Sequence, residues 1–307
     1  MSVLDEITGF HIEPTNICTL KCEGCARTRF LNQWPQHWKN HCLDIDVLIK
    51  FLDIDLTGKS ISLCGNYGDP IYHTDFLTFI EKLKTTGVKI SITTNGSYKQ
   101  IDWWKQLTAL LDNNDTVRFS VDGVPENFTN YRINADWASI RPAMEMCASA
   151  SCRTVWKYIP FAFNQDSIQQ ARHLAQGIGI DTFELDPSDR YDWQTQHLLP
   201  SSPDLLGKRF DSIQAWRSGN TSAEISAKCQ NGREHFITAD GFYSPCCYVA
   251  DHRFYYKTEF GKNKKSFDIT HISLSQILHD LDANGWFKTL REQQVCQFNC
   301  PNTKSSV

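Results

Sequence analysis

The chain has 307 residues, of which 41% are hydrophobic and 21% charged, and its formal net charge is -4 at pH 7. These proportions are ordinary for a folded protein, and the length suffices for one large domain or for a domain of about 200 residues with a smaller companion. The negative charge argues against nonspecific attraction to nucleic acid or to anionic membranes, because no global positive field exists to collect phosphates.

Short apolar and β-branched runs alternate with longer amphipathic stretches from residue 8 to about 186, a pattern typical of β/α units. Strands are predicted at 9–15, 60–65, 88–96, 116–123, 153–164 and 181–186, and helices at 43–55, 75–87, 101–114, 137–150 and 166–179. Gly87 closes the second of these helices, since glycine is common just past a helix end. Six such units predict a parallel sheet with helices outside, because a parallel connection needs a right-handed crossover.

The predicted fold class is therefore α/β, a partial (β/α)6 barrel with three quarters of the units of a closed TIM-like barrel. In such sheets ligands bind at the carboxyl ends of the strands. The polar segments EPTN, GNYGDP, TTNGS and SVDG follow the first four predicted strands. Each alone is an ordinary turn sequence, but their convergence on one rim predicts a functional site.

The regular alternation stops at about residue 187, which divides the chain into three predicted parts. Residues 1–186 form the barrel, and residues 187–228, which are polar and contain prolines, form a linker or cap. Residues 229–307 form a small cysteine-rich domain. Its cysteines are Cys229, Cys246, Cys247, Cys296 and Cys300.

The N-terminus lacks a basic segment followed by an apolar one, and no run of about 18 apolar residues occurs, so the sequence predicts a cytoplasmic protein without a membrane partner. Twelve cysteines in a reducing compartment favour metal or redox chemistry over disulfides. Four of them lie singly in apolar segments and are predicted core residues: Cys42, Cys64, Cys147 and Cys152. The others are grouped.

Three of the grouped cysteines, Cys18, Cys22 and Cys25, lie within eight residues on the loop after the first strand. A structural zinc site closes its tetrahedron with four ligands, and His37 or His41 could supply the fourth. A 4Fe-4S cluster held by three cysteines would instead leave one iron open to a substrate or cofactor. The three thiols alone leave both alternatives open.

A C-x3-C-x2-C loop directly after the first strand of a β/α series, with GNYGDP after the second, resembles the radical S-adenosylmethionine (SAM) superfamily. The resemblance covers residues 8 to about 186. It implies that Cys18, Cys22 and Cys25 hold a 4Fe-4S cluster whose open iron is chelated by the amino and carboxylate groups of SAM. One electron from the reduced cluster would cleave SAM, and the resulting 5′-deoxyadenosyl radical would remove a hydrogen from the substrate. The resemblance also implies a reductant such as flavodoxin or ferredoxin as a partner.

The resemblance assigns further residues to SAM. Tyr67, Gly68 and Asp69 align with the family's Gly-Gly-Glu motif, with Asp69 in place of the usual glutamate. Arg132 is expected to pair with the SAM carboxylate as a bidentate donor. The other expected contacts, all at strand ends or on the same rim, are Asn95, Ser120, Asp122 and Asn164. Gly24 stands where the family commonly has an aromatic residue near the adenine, so another residue must stack there.

The C-terminal cysteines resemble the auxiliary-cluster extension of radical SAM enzymes known as SPASM or, in its one-cluster form, twitch. A hairpin turning at Gly241 is predicted between Cys229 and Cys246. The resemblance implies a second, auxiliary 4Fe-4S cluster, for which the expected ligands are Cys229, Cys246, Cys296 and Cys300. The full pattern has a C-x2-C pair that is absent here, and a structural zinc is the alternative. Cys247 could replace Cys246 as a ligand or be free. Cys247 or Cys64 could return a hydrogen atom to the substrate, and the alternative for both is an inert core cysteine.

The predicted function is a radical SAM enzyme of oxidoreductase type that removes a hydrogen from an unactivated carbon of a small metabolite, ending in oxidation, epimerisation or rearrangement. A maturase acting on a peptide or protein is one alternative. Only 17 residues precede Cys18, where peptide-modifying relatives often carry a leader-binding domain, and this favours the small metabolite. A noncatalytic iron-sulfur or zinc protein is the alternative of another class. Nucleic acid is a poor candidate on charge.

Overall fold

A computed structural model of the chain describes residues 7–189, 191–192, 194–208, 210–219, 235–286 and 294–300. Within these ranges eight strands form one sheet in the order β6-β5-β4-β3-β2-β1-β7-β8. They are β1 (Gly9–Ile12), β2 (Ser60–Leu63), β3 (Lys89–Thr94), β4 (Thr116–Ser120), β5 (Arg153–Tyr158), β6 (Thr182–Leu185), β7 (His235–Ile237) and β8 (Tyr243–Ser244). Neighbouring strands from β6 to β1, and β1 with β7, pair in parallel. The predicted α/β partial barrel is confirmed, and the described sheet is open between β6 and β8.

The helices of the described ranges lie between and after these strands. They are α1 (Ala26–Gln33), α2 (Ile45–Phe51), α3 (Phe76–Lys84), α4 (Ile101–Leu110), α5 (Trp137–Ala148), α6 (Ile168–Ile178), α7 (Phe210–Arg217), α8 (His252–Tyr255), α9 (Glu259–Lys262), α10 (Leu274–Ala283) and α11 (Gln294–Asn299). Each of the six predicted strands and five predicted helices contains the corresponding observed element, and α1 was not predicted.

Local sequence explains where these helices begin and end. Asp44 begins α2, because its carboxylate accepts hydrogen bonds from the backbone N–H groups of Asp46 at 2.8 Å and Val47 at 3.1 Å. Helix α3 buries Phe76, Phe79, Ile80 and Leu83, which are spaced to share one helix face. It is followed by Gly87, whose φ of +74° is a left-handed conformation that glycine adopts without strain.

One face of the sheet is apolar and covered by the helices. Phe10, Ile61 and Ile90 are paired across β1, β2 and β3, and each is at most 2% exposed. The helix side chains Phe79 and Trp104 belong to the same hydrophobic cluster. We call this the outer face, and burial of its apolar side chains favours folding.

The opposite face, which we call the inner face, is polar. His11, Ser62, Ser91 and Thr116 are paired across β1 to β4, and all four are half-buried. The next row of this face includes Cys64, Thr93 and Arg118, which are also half-buried. In closed barrels the inward residues are mostly branched apolar side chains that fill the interior. Here most of the inner face from β1 to β4 is polar and within reach of water, while Phe236 of β7 and Val155 of β5 are buried apolar residues on the same face.

The C-terminal part of the chain adds to the sheet beside β1. Strand β7 pairs with β1 in parallel, and β8 returns antiparallel to β7. Gly241 lies in the turn between them with a φ of +81°. The hairpin predicted around Gly241 is therefore present, whereas Cys229 lies outside the described residues. None of the described helices is long and apolar enough to cross a bilayer.

Candidate functional site

The three-cysteine loop lies at the carboxyl end of β1 and leads into α1. Cys22 is buried, while Cys18 and Cys25 are half-buried. Cys25 is the N-cap residue of α1, and its backbone N–H donates to the Cys22 carbonyl at 3.1 Å. The loop thus places all three thiols on the rim where the loops after β2, β3 and β4 also lie.

Cys18 is joined to the loops after β2 and β3 through Asn95 and Asp69. The Asn95 amide nitrogen lies 3.8 Å from the Cys18 sulfur and donates to an Asp69 carboxylate oxygen at 2.5 Å. That oxygen also accepts from the Asn95 backbone N–H at 2.6 Å. Burial raises the pKa of Asp69 to about 6, although hydrogen bonds from Asn95 oppose the shift. The predicted residues Cys18, Asp69 and Asn95 therefore form one connected group.

Cys22 faces the loop after β4. The Arg132 guanidinium lies beside the Cys22 thiol and pairs with the buried Asp122 carboxylate, with Nε and Oδ2 2.7 Å apart. The negative groups around Arg132 hold its pKa above the usual range although burial opposes this. Arg132, predicted as a SAM partner, thus already has an acidic partner in Asp122.

Asn164 and Ser120 lie on the same rim in different settings. The fully buried Asn164 side chain donates to the carbonyls of Asp122 at 3.1 Å and Ile159 at 3.0 Å, and accepts from the Phe161 N–H at 2.6 Å. Its amide therefore holds the loop after β5 against the loop after β4. Ser120 is half-buried at the end of β4, on the same face as Arg118.

The loop after β2 is held by Glu13, the first residue of the EPTN segment, which was not among the predicted site residues. One Glu13 carboxylate oxygen accepts from the N–H groups of Tyr67 at 2.7 Å and Gly68 at 3.1 Å. Gly68 is required sterically, because a Cβ there would lie 1.8 Å from the Thr15 carbonyl oxygen. The sequence signal for Glu13 was an acid directly after an apolar strand. Burial raises its pKa to about 7, although the two N–H groups oppose the shift.

The thiols have the donor chemistry that an iron-sulfur cluster needs. Burial raises the pKa of Cys18 to about 12 and that of Cys22 to about 11, and proximity of the other thiols contributes to both shifts. Three neighbouring thiolates are therefore unfavourable by themselves, and a bound cationic centre would stabilise them. The residues fit a cluster with three cysteine ligands. Across the described ranges, no three His, Cys, Asp or Glu side chains are grouped as one metal ion requires.

Tyr131 lies beside Gly24, the residue expected where radical SAM proteins commonly have an aromatic side chain. A Cβ on Gly24 would lie 3.0 Å from the Tyr131 hydroxyl. The Tyr131 ring packs on Phe161 with ring centroids 4.4 Å apart, and the Arg132 guanidinium lies 5.6 Å from its centroid. An aromatic ring from the segment after β4 thus occupies the space in front of Gly24.

The C-terminal cysteines are only partly described. Cys246 and Cys296 are buried, and the Cys300 N–H donates to the Cys296 carbonyl at 2.8 Å. Cys229, the fourth expected ligand, lies outside the described residues. Of the cysteines predicted to be core residues, Cys147 and Cys152 are buried, whereas Cys42 and Cys64 are half-buried.

Comparison with known proteins decides the family. The profile described as Radical SAM superfamily matches residues 12–176, which is more than half of the chain and includes all three N-terminal cysteines. The chain belongs to the radical SAM superfamily. A curated relative from Pyrococcus furiosus, the tungsten-containing aldehyde ferredoxin oxidoreductase cofactor-modifying protein, is 29% identical over 119 residues. That match covers 38% of this chain and only 31% of the relative.

Solved structures share the fold at low sequence identity. SuiB of Streptococcus suis bound to S-adenosylmethionine superposes with a TM-score of 0.65 and 13% identity, covering 95% of this chain and 72% of SuiB. SuiB bound to its precursor peptide SuiA superposes with a TM-score of 0.60 and 14% identity, covering 92% of this chain and 67% of SuiB. BtrN in complex with AdoMet and 2-DOIA superposes with a TM-score of 0.51 and 15% identity, covering 96% of this chain and 93% of BtrN. These structural similarities establish the fold alone.

Proposed function

We propose that the protein is a radical SAM enzyme that removes a hydrogen atom from an unactivated carbon of a small polar metabolite. The observation that carries the proposal is the connection of Cys18 to Asp69 through Asn95. It joins a thiol of the predicted cluster to the acid of the motif that contacts the SAM amino group in the family. An electron carrier without a SAM site would have no use for this arrangement.

Cys18, Cys22 and Cys25 would hold a 4Fe-4S cluster, which would supply the single electron for cleavage of SAM to methionine and for removal of a substrate hydrogen atom as 5′-deoxyadenosine. The protein's own part is positioning. Asp69 and the carbonyls of Tyr67 and Gly68 would hold the SAM amino group, and Arg132 would face its carboxylate.

The remaining rim residues are proposed to complete the SAM site. Asn95, Ser120 and Asp122 would border the ribose and methionine portions, and Asn164 would keep Asp122 in place through its backbone. Tyr131, in front of Gly24, is the candidate for stacking on adenine, because its ring occupies the space where an aromatic side chain is otherwise missing.

The polar inner face supports a small hydrophilic substrate. Besides the serine and threonine rows, it carries two ion pairs, Arg118–Glu184 at 2.5 Å and Lys157–Asp186 at 2.8 Å. Half-exposed ion pairs add little to stability, so their presence where a closed barrel would be apolar is better explained by contact with a polar ligand. Hydroxyl, amine and carboxylate groups are the chemistry this surface can bind.

A peptide or protein substrate is the second candidate. It is favoured by the SuiB complex with precursor peptide and by the relative described as a cofactor-modifying protein. We further propose an auxiliary 4Fe-4S cluster on Cys229, Cys246, Cys296 and Cys300 that carries an electron to or from the substrate radical. A flavodoxin or ferredoxin would supply the first electron.

The proposal is tested by anaerobic reconstitution of the full chain with iron and sulfide, followed by dithionite and SAM. We expect 5′-deoxyadenosine from the wild type and from Cys152→Ala, a buried cysteine just before β5, at the end of the strands opposite the rim. Cys22→Ala should form none and should lose iron. Zinc in place of iron, together with no 5′-deoxyadenosine from the wild type, would show a noncatalytic metalloprotein instead.

A further inference from the structure

The loop after β2 is bonded to the C-terminal part of the chain by both residues that precede Gly68. The first contact is made by Asn66, whose side-chain amide donates to the Cys247 carbonyl at 2.8 Å. These residues are 181 positions apart in the chain. Cys247 follows Cys246, one of the expected auxiliary ligands. A displacement of that cysteine pair would therefore reach Asn66 through a single hydrogen bond.

The second contact is made by Tyr67. Its hydroxyl accepts from the His252 backbone N–H at 3.0 Å and shares a further hydrogen bond of 3.3 Å with Nδ1 of the same histidine. The His252 ring packs edge-on against Phe30 of α1, with centroids 5.5 Å apart. Tyr67 itself packs edge-on against Trp38 at 5.8 Å. The Tyr67 side chain is thus directed toward the C-terminal segment, while its backbone belongs to the loop proposed to bind SAM.

The segment between these two contacts is firmly placed. Residues 246–252 include the buried Cys246 and Val249, which is 1% exposed. Strand β7, shortly before it, pairs with β1, and the Glu13 N–H donates to the Ile237 carbonyl at 2.9 Å. Because both ends of this connection are ordered by packing, a change at the cysteines can shift the loop rather than dissipate in flexible chain.

We propose that Asn66 and Tyr67 couple the C-terminal segment 246–252 to SAM binding, so that the bonded segment tightens SAM and bound SAM stabilises the segment. This inference rests on the proposed function, because it requires SAM to bind at the loop after β2. Asn66 and Tyr67 act here as positioning residues through Cys247 and His252. The coupling is reciprocal, since one free energy links SAM binding to the ordering of the segment.

The first test measures the SAM dissociation constant of the reconstituted full chain by equilibrium dialysis. Asn66→Ala removes the bond to Cys247, and Tyr67→Phe removes both bonds to His252 but keeps the ring. Each change should weaken SAM binding about three- to tenfold. The matched control is Tyr98→Phe, which loses a tyrosine hydroxyl bond to the Asn134 carbonyl elsewhere on the rim and should bind SAM like the wild type. Unchanged SAM affinity in both Asn66→Ala and Tyr67→Phe would overturn the proposal.

The second test is a mutant cycle with Cys246→Ser, which places a more polar side chain at a buried position and should loosen the segment 246–252. We expect this change to weaken SAM binding in the wild type and to add nothing in the Asn66→Ala/Tyr67→Phe double variant. Additive effects would contradict coupling through these contacts. Hydrogen exchange at residues 64–69, measured without SAM, should rise in Asn66→Ala and in Cys246→Ser, and unchanged exchange in both would also count against it. A wild type that binds no SAM overturns the proposed function, whereas the exchange measurement still tests the contacts.

Discussion

The two faces of the sheet differ in burial and in chemistry. Phe119 and Ser120 are neighbours in β4, yet Phe119 is fully buried under the helices and Ser120 is half-buried on the inner face. The same alternation occurs along β3, where Ile90 and Ile92 are buried while Ser91 and Thr93 are not. In a closed barrel both faces would be packed. Here most of the apolar packing lies on one face, with Val155 and Phe236 buried on the other, so the inner face can carry polar groups at little cost in stability.

The largest expected effect separates these faces within one strand. Phe119→Ala should lower the free energy of unfolding by about 3–5 kcal/mol, because it leaves a cavity in the outer core. Ser120→Ala should change it by no more than about 0.5 kcal/mol, as a surface substitution would. Chemical denaturation of the two variants measures both values. Equal losses would contradict the division of the two faces.

A smaller effect is expected at the rim. Gly68→Ala would place a methyl group against the Thr15 carbonyl and displace the loop after β2, with little loss of buried apolar surface. We expect 5′-deoxyadenosine formation to fall by roughly 100-fold, since small misplacements of reacting groups have effects of that size. Gly177→Ala in α6 is the control, because nothing lies within 4 Å of its Cβ. Normal turnover in Gly68→Ala would mean that this loop does not position SAM.

Glu13 makes the stability of the fold depend on pH in a defined direction. Its pKa is raised by burial to about 7, so the folded protein keeps this proton above pH 4.5, where the unfolded chain loses it. The contribution of Glu13 to stability is therefore full at low pH and is lost as the pH rises toward 7, by roughly 1–3 kcal/mol. Glu13→Gln should remove this decline, because its amide oxygen can still accept from Tyr67 and Gly68. An identical decline in the variant, followed by denaturation from pH 4.5 to 8, would show that Glu13 is not its source.

A small stability effect is also expected for an ion pair on the inner face. Arg118→Gln breaks the half-exposed pair with Glu184 and should cost no more than about 1 kcal/mol. If the inner face binds substrate, the same change should also lower the amount of product formed for each SAM cleaved. Destabilisation of several kcal/mol would instead assign this pair to the core.

The strands and helices of the barrel could be predicted because their periodicity is local. Helix α1 could not, since none of its residues is buried and it carries no apolar stripe. The three cysteines and the four rim loops were also visible in the sequence. The pairings that organise them depend on the folded geometry: Asp69 and Asn95 lie on different loops, and Asp122 and Arg132 are ten residues apart in the loop after β4. The same holds for Tyr67 and His252, which are 185 positions apart.

The N-terminal thiols are proposed to leave one iron without a protein ligand, and SAM is proposed to occupy it. Electron-nuclear double resonance of the reduced, reconstituted protein with SAM carrying isotope-labelled amino and carboxylate groups tests this directly. We predict hyperfine coupling from both labels to the N-terminal cluster, and its loss in Cys18→Ala. A well-formed cluster without coupling to either label would contradict the account.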